Sequence, residues 1–325
     1  MNALRPGTPL DPIVDRYLQW KRALGRGYLG VERVLVSLLH FMHHRAAAEL
    51  DQNLFDAWSN SFAELNANVR RNRQREVRNF CLYRQRTEPS CFVPDANRFP
   101  RPCPYCAPVI FGPEAVARML AIAKQQRATP GSPLLPAVLR LAVVMLYTAG
   151  LRRGELLRLT LADADPTAGV LRIRESKFHK SRFVPLSLDA CLELRAYLQQ
   201  RLVPSLSAAP DSPLLCNCTR GLRAYTGTGL SRGLQLLIRS ADVQSTDGRR
   251  PRIHDFRHSF AVGALLRWYR QGADVQSNLP KLAMYMGHVS IVSTAYYLKW
   301  MPDIATAASD RFEARFGHLI SGGVS

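Results

Sequence analysis

Ile13, Tyr17, Trp20 and Leu24, then Val34, Leu35, Leu38, Leu39 and Phe41, recur at helical steps, the spacing that stacks side chains on one face of an α-helix. The start of the chain therefore reads as a small helical bundle. Its last helix lies in NANVRRNRQREVRNFCLYRQR, where Val69, Val77, Phe80 and Cys81 can face a core while Arg71, Arg75 and Arg78 follow another stripe. Arginines aligned in this way can track a phosphate backbone. A solvated basic face would look the same.

From residue 87 to residue 108 the period is lost and six prolines intervene, which marks a linker. Beyond it the pattern predicts a helix over 114–124 after Pro113, then a long apolar helix within 134–151. That run contains Pro136 and Arg140 and is too short for a comfortable membrane span, so it reads as a buried core helix. In GVLRIRESKFHKSRFVPLS, Val170, Leu171 and Ile173 precede a polar turn, and Phe183, Val184 and Leu186 follow it. This is a β-hairpin pattern. Helical patterns then run to the end, broken by the loops PSLSAAPDSP and QSTDGRRPR. The expected fold is mainly α with a small β-sheet or hairpin. The expected domains are a helical one over 1–88, a Pro-rich linker over 89–107 and a larger one over 108–325.

Composition adds a partner to this outline. With 325 residues, 47% of them hydrophobic, the chain can bury a substantial core. Its 44 Lys and Arg against 25 Asp and Glu leave a formal charge of +19, which favours a polyanion through counterion release and long-range steering. Residues 1–107 hold 16 basic and 10 acidic side chains and the remainder 28 and 15, as expected if both domains touch the same nucleic acid.

The seven cysteines are irregularly spaced, which suits a reduced, cytoplasmic protein better than a disulfide framework. The first residues show no apolar core of the kind a signal peptide needs. Two cysteine pairs invite a zinc reading. Pro104 stiffens Cys103-Pro-Tyr-Cys106, however, and Cys216-Asn-Cys218 is spaced poorly for chelation, so incidental thiols and no metal are expected.

Four separated stretches carry the candidate chemistry. In TAGLRRGELLRL, Gly150 permits a tight turn before Arg152, and Glu155 can orient the guanidinium. The hairpin turn offers Lys177, with Lys180 and Arg182 close by; an ammonium there can donate a proton or neutralise a leaving oxygen. In HDFRHSFA, His254, Arg257 and His258 project from one side of a helix. An arginine between two histidines repels a metal ion, whereas Arg257 can grip two phosphate oxygens while His254 donates a third hydrogen bond. Finally, in MGHVSIVSTAYYLKW, His288 is followed nine residues later by Tyr297, with Tyr296 beside it. A phenol of pKa near 10 becomes a useful nucleophile when cations stabilise its oxyanion.

Together the motifs GLRRGEL, SKFHKSRFVPL, HDFRHSFA and MGHVSIVSTAYYL resemble the tyrosine recombinase (phage-type integrase) family, whose catalytic domain carries Arg, Lys, His-x-x-Arg, Gly-His and Tyr in that order. The resemblance covers most of residues 108–301. The first domain is similar, more loosely, to the family's helical core-binding domain, which would sit before an α+β catalytic domain with a C-terminal helix. It implies a site-specific DNA recombinase, suited to a mobile element, working through a 3′-phosphotyrosyl intermediate without a cofactor or metal. By this resemblance Arg152, His254 and Arg257 cradle the scissile phosphate, His288 bonds the same phosphate, Lys177 protonates the leaving 5′ oxygen and Tyr297 attacks. Lys180 and Tyr296 are the rivals to Lys177 and Tyr297, and His258 is left to helix packing.

The partner is then double-stranded DNA, with a homo-tetramer during synapsis and a monomer or weak oligomer when free. Ile304, Ala308, Phe312 and Phe316 form an apolar stripe that can dock on its own domain or on a neighbour. Two other tasks fit the same chemistry or fold: a type IB-like topoisomerase, which would relax plasmid without sequence preference, and a sequence-specific DNA-binding regulator that does not cleave.

Overall fold

In the larger of two units, one helix with almost no polar surface forms the centre. The computed structural model describes residues 8–104 except 26, 106–174, 181–218 except 203–205 and 207, 221–245, 248–288, 290, and the single positions 306, 309 and 313. It divides into Met1–Cys106 and Ala107–Ser325.

The first unit holds α1 (Asp11–Ala23), α2 (Leu29–His44), α3 (Gln52–Asn60) and α4 (Ala67–Arg84). Capping sets two of these starts: Asp51 accepts the Leu54 N–H at 2.7 Å, and Asn66 accepts that of Asn68 at 2.9 Å. Tyr17 lies at the centre, its ring 5.6 Å from Phe80 and 5.1 Å from Tyr83. Leu24 and Val69, expected to face this core, are 60% and 44% exposed. Leu24 has already passed the last turn of α1. On α4 the inner stripe runs through Gln74, Val77, Cys81 and Arg84, which turns Val69 outward. The Pro-rich stretch is strapped onto α3 and α4: Phe99 is buried, Arg98 pairs with Asp56 at 3.1 Å, and the Cys103 N–H donates to Asn68 at 2.9 Å.

In the second unit α5 (Pro113–Lys124) and α6 (Leu135–Thr148) lead to the short α7 (Arg153–Arg158). Val138, Leu139 and all of residues 141–146 on α6 are buried, so neighbours cover most of this helix, and its one charged residue, Arg140, pairs with Glu193. Next come β1 (Ala164–Asp165), β2 (Val170–Ile173) and β3 (Arg182–Pro185), an antiparallel sheet in the order β1-β2-β3, and α8 (Leu188–Arg201). Leu171 faces Val184 across β2 and β3, both fully buried. Phe183 is not a core residue: it is 69% exposed, since side chains alternate along a strand and Val184 takes the inner face. A small hairpin, β4 (Cys216–Asn217) with β5 (Arg223–Ala224), precedes α9 (Gly227–Ser240), α10 (His254–Arg270) and α11 (Val275–Met286). The fold is mainly helical with small antiparallel sheets. Among the described residues no helix is long and apolar enough to cross a membrane, and all seven cysteines carry free thiols.

Candidate functional site

The C-terminus of α11 is where the separated motifs meet. A helix ends with carbonyls that lack internal partners and with a partial negative charge. Gly287 stops α11 with φ +66°, and two reverse bonds close the end: the Gly287 N–H donates to the Met284 carbonyl at 3.0 Å and the His288 N–H to that of Ala283 at 2.8 Å. This is a Schellman arrangement, and it sets His288 directly beyond the helix. The next three carbonyls are each taken by a different arginine. Arg182 Nε donates to Tyr285 O at 2.8 Å, Arg257 Nη2 to Met286 O at 2.6 Å, and Arg152 Nη2 to Gly287 O at 2.9 Å.

Each arginine reaches this point from its own element. Arg152 precedes α7, and Gly150 just before it has φ +58°. A Cβ at Gly150 would lie 2.4 Å from the Phe260 ring, so the turn requires glycine for both its dihedral and its clearance. The Gly150 carbonyl then accepts from Arg257 Nη1 at 2.6 Å. Arg257 itself is 1% exposed, and its fork ties α10 to the turn after α6 and to the end of α11. Nearby, Tyr285 donates its hydroxyl to the Pro185 carbonyl at 2.8 Å, fastening α11 to β3.

One buried carboxylate balances part of this charge. Glu155, on α7, accepts from the Arg152 backbone N–H at 3.0 Å and from Arg152 Nη1 at 2.7 Å, and both its oxygens accept from Arg182 at 3.1 and 3.0 Å. Burial alone would raise its pKa. The two guanidiniums and the backbone N–H outweigh that and hold it at about 2. Arg152 and Arg182 share this one carboxylate, and Arg257 is held by main-chain carbonyls.

The histidines are neutral at pH 7 in this setting. His288 is brought down to about 4 by burial and by the neighbouring Arg257, Arg152, His254 and Arg182. His254, at the first turn of α10, is lowered by burial and then by Arg257, against the opposing pull of Asp255. Its ring meets that of His258 edge to face at 4.8 Å. Burial and His254 bring His258 to about 4 as well. Asp255 accepts the Arg252 N–H at 2.8 Å and pairs with its guanidinium at 3.0 Å, which anchors the start of α10.

Of the residues singled out in the sequence, Arg152, His254, Arg257 and His288 are gathered here, and Glu155 orients Arg152 as its spacing suggests. Arg182, named in the sequence only as a neighbour of Lys177, is a further member of the cluster. The signal was available: strict alternation puts Arg182 on the same face as Val184. Lys177, Lys180, Tyr296 and Tyr297 lie outside the described residues, as do Ile304, Ala308, Phe312 and Phe316. In the first unit Arg75 is exposed and pairs loosely with Glu76 at 3.7 Å, Arg71 donates to the Pro100 carbonyl at 3.0 Å, and Arg78 is half-buried. Arg75 is thus the most open of these three.

Comparison with known proteins identifies the family. Residues 112–302 match the family described as the phage integrase family. An integrase/recombinase of Sinorhizobium fredii, y4rB, is 32% identical over 93% of this chain and 96% of its own length. Tyrosine recombinase XerC of Pelotomaculum thermopropionicum is 33% identical over 47% of this chain and 46% of its own. Among solved structures, the Tn1549 transposon integrase in complex with a circular intermediate DNA superposes with a TM-score of 0.63 over 92% of this chain and 99% of that one, at 16% identity.

Proposed function

Since the chain belongs to the phage integrase family and is a tyrosine site-specific recombinase, we propose that it cuts and rejoins double-stranded DNA by transesterification through Tyr297. The observation that carries this reading is the clustering of the Arg152 and Arg257 guanidiniums with His254 and His288 at the end of α11. Such a cluster is complementary to a phosphodiester and more so to its transition state, in which negative charge accumulates on the equatorial oxygens.

In this mechanism Arg152 and Arg257 bind the non-bridging oxygens, and His254 and His288 donate further hydrogen bonds. Each imidazole, neutral in the free protein, offers one N–H. The phenol of Tyr297 attacks the phosphorus, its proton leaves, and the bond to the 5′ oxygen breaks. Lys177 supplies that oxygen with a proton, giving a free 5′ hydroxyl and a 3′-phosphotyrosyl enzyme. The energy of the phosphodiester is kept in the covalent link, so religation needs no nucleotide. Joining two duplexes requires four such cleavages, hence a homo-tetramer on DNA. Recombination that serves a mobile element is the task proposed, and Arg71, Arg75 and Arg78 are proposed to add backbone contacts from the first unit.

The test is a duplex nicked close to the cleavage site, from which the freed fragment diffuses away and traps the intermediate. The expected adduct resists denaturation, is lost on protease treatment, and maps by peptide mass spectrometry to Tyr297. Release of nicked product without any adduct would overturn the mechanism. Affinity for duplex DNA is expected to fall with added salt by a log–log slope of roughly −0.9 per neutralised phosphate. A flat response in a filter-binding titration would contradict an extensive backbone interface.

A further inference from the structure

Arg182 lies on the hairpin, whereas Arg152 precedes α7 and Arg257 lies on α10. Its side chain is 11% exposed. Three of its five N–H groups are committed: Nε to the Tyr285 carbonyl at 2.8 Å, and Nη1 and Nη2 to the two oxygens of Glu155 at 3.1 and 3.0 Å. The guanidinium also lies against Gly287, where an added Cβ would come within 2.8 Å of Nη1. One planar fork thus joins β3, α7 and the end of α11. A lysine could supply the charge but not the three directed bonds.

We propose that Arg182 is a positioning residue that draws both oxygens of Glu155 toward the hairpin and holds the end of α11, so that Arg152 and His288 stay presented to a phosphate. The inference rests on the phosphate-binding role given above to Arg152 and His288. Its logic is a competition for one carboxylate. Glu155 shares its charge between Arg152 and Arg182. With Arg182 removed, the whole charge falls on Arg152 and neutralises the guanidinium meant for the phosphate. The Tyr285 carbonyl and the close packing on Gly287 are lost at the same time, which loosens the chain that leads from α11 into His288.

The test uses the full-length protein with Arg182→Met, which keeps the length of the stem, and Arg182→Lys, which keeps the charge. Cleavage of the nicked duplex at saturating DNA is expected to fall roughly 10²-fold in the Met variant, the scale of a misplacement of about 1 Å, while DNA affinity stays within about threefold. The Lys variant is expected to recover only a small part of the rate. A second readout does not depend on activity. The groups that face His288 are Arg257, Arg152, His254 and Arg182, and loss of Arg182 is expected to move the His288 imidazole titration, followed by NMR, upward from its low position.

A Met variant that cleaves at the parental rate overturns the proposal, and so does a Lys variant with full activity or an unmoved His288 titration. If Met prevents folding, the cleavage rate of the Lys variant decides the matter alone. Failure of the parent protein to form any adduct on nicked DNA would sink the transesterification reading. The His288 titration would still test whether Arg182 acts on its neighbour.

Discussion

Tyr297→Phe is expected to bind DNA like the parent and to form no covalent adduct, with strand cleavage reduced by roughly 10⁴-fold or more, the scale seen when a nucleophile is removed from an otherwise intact site. Binding survives because none of the cationic cluster's described supports comes from Tyr297. Arg152, Arg182 and Arg257 are held by main-chain carbonyls and by Glu155, all of which remain. Only the oxygen that becomes bonded to phosphorus is gone. Its ordinary pKa near 10 makes it a weak nucleophile in water, and the guanidiniums at the end of α11 are what would stabilise its oxyanion. The measurement is a denaturing gel of protein with nicked duplex, run beside Tyr296→Phe. An adduct that persists in Tyr297→Phe and disappears in Tyr296→Phe would transfer the attack to Tyr296.

What could be read from the sequence follows from where periodic burial leaves a trace. The buried α6, the helix that begins at His254 and the β2-β3 hairpin each repeat their apolar residues over several periods. The strands β1, β4 and β5 have two residues each, too short for any alternation to register. On β3 the strand period turns Phe183 outward, seats Val184 inside and brings Arg182 in beside it.

The gathering of Arg152, His254, Arg257 and His288 could be expected only from the order of the motifs. Of the way they are held, only the Glu155–Arg152 contact could be expected. Main-chain carbonyls of Tyr285, Met286, Gly287 and Gly150 do most of that work, and a carbonyl has no residue type. The visible remnants are Gly150 and Gly287, whose positive φ angles turn those carbonyls toward the arginines. The near-complete burial of Arg257 is likewise hidden, since arginines are mostly exposed.

Glu155→Gln is the substitution expected to damage the fold of the second unit most. A carboxylate held at about 2 against an ordinary value of 4.5 contributes about 3 kcal/mol at neutral pH, at 1.36 kcal/mol per pKa unit. That agrees with the roughly 3–5 kcal/mol lost when one partner of a buried ion pair is removed. For a unit of this size the melting temperature should drop by about 6–12 °C. The pH dependence separates this from a packing defect. Because the folded pKa is depressed, the carboxylate's contribution is complete above about pH 4.5 and is lost as the pH falls toward 2. His258 and His288, each at about 4 when folded against 6.5 otherwise, destabilise parent and variant alike as the pH falls from 6.5 to 4. Their effect therefore cancels in the difference. The gap between the two melting temperatures should stay constant from pH 7 to about pH 5 and narrow below it. Thermal melts across that range would refute the account if the gap were under about 2 °C at pH 7, or if it persisted undiminished near pH 2.5. A constant gap would mean that the loss comes from shape and not from charge, and the three arginines would then need another source of compensation at the end of α11.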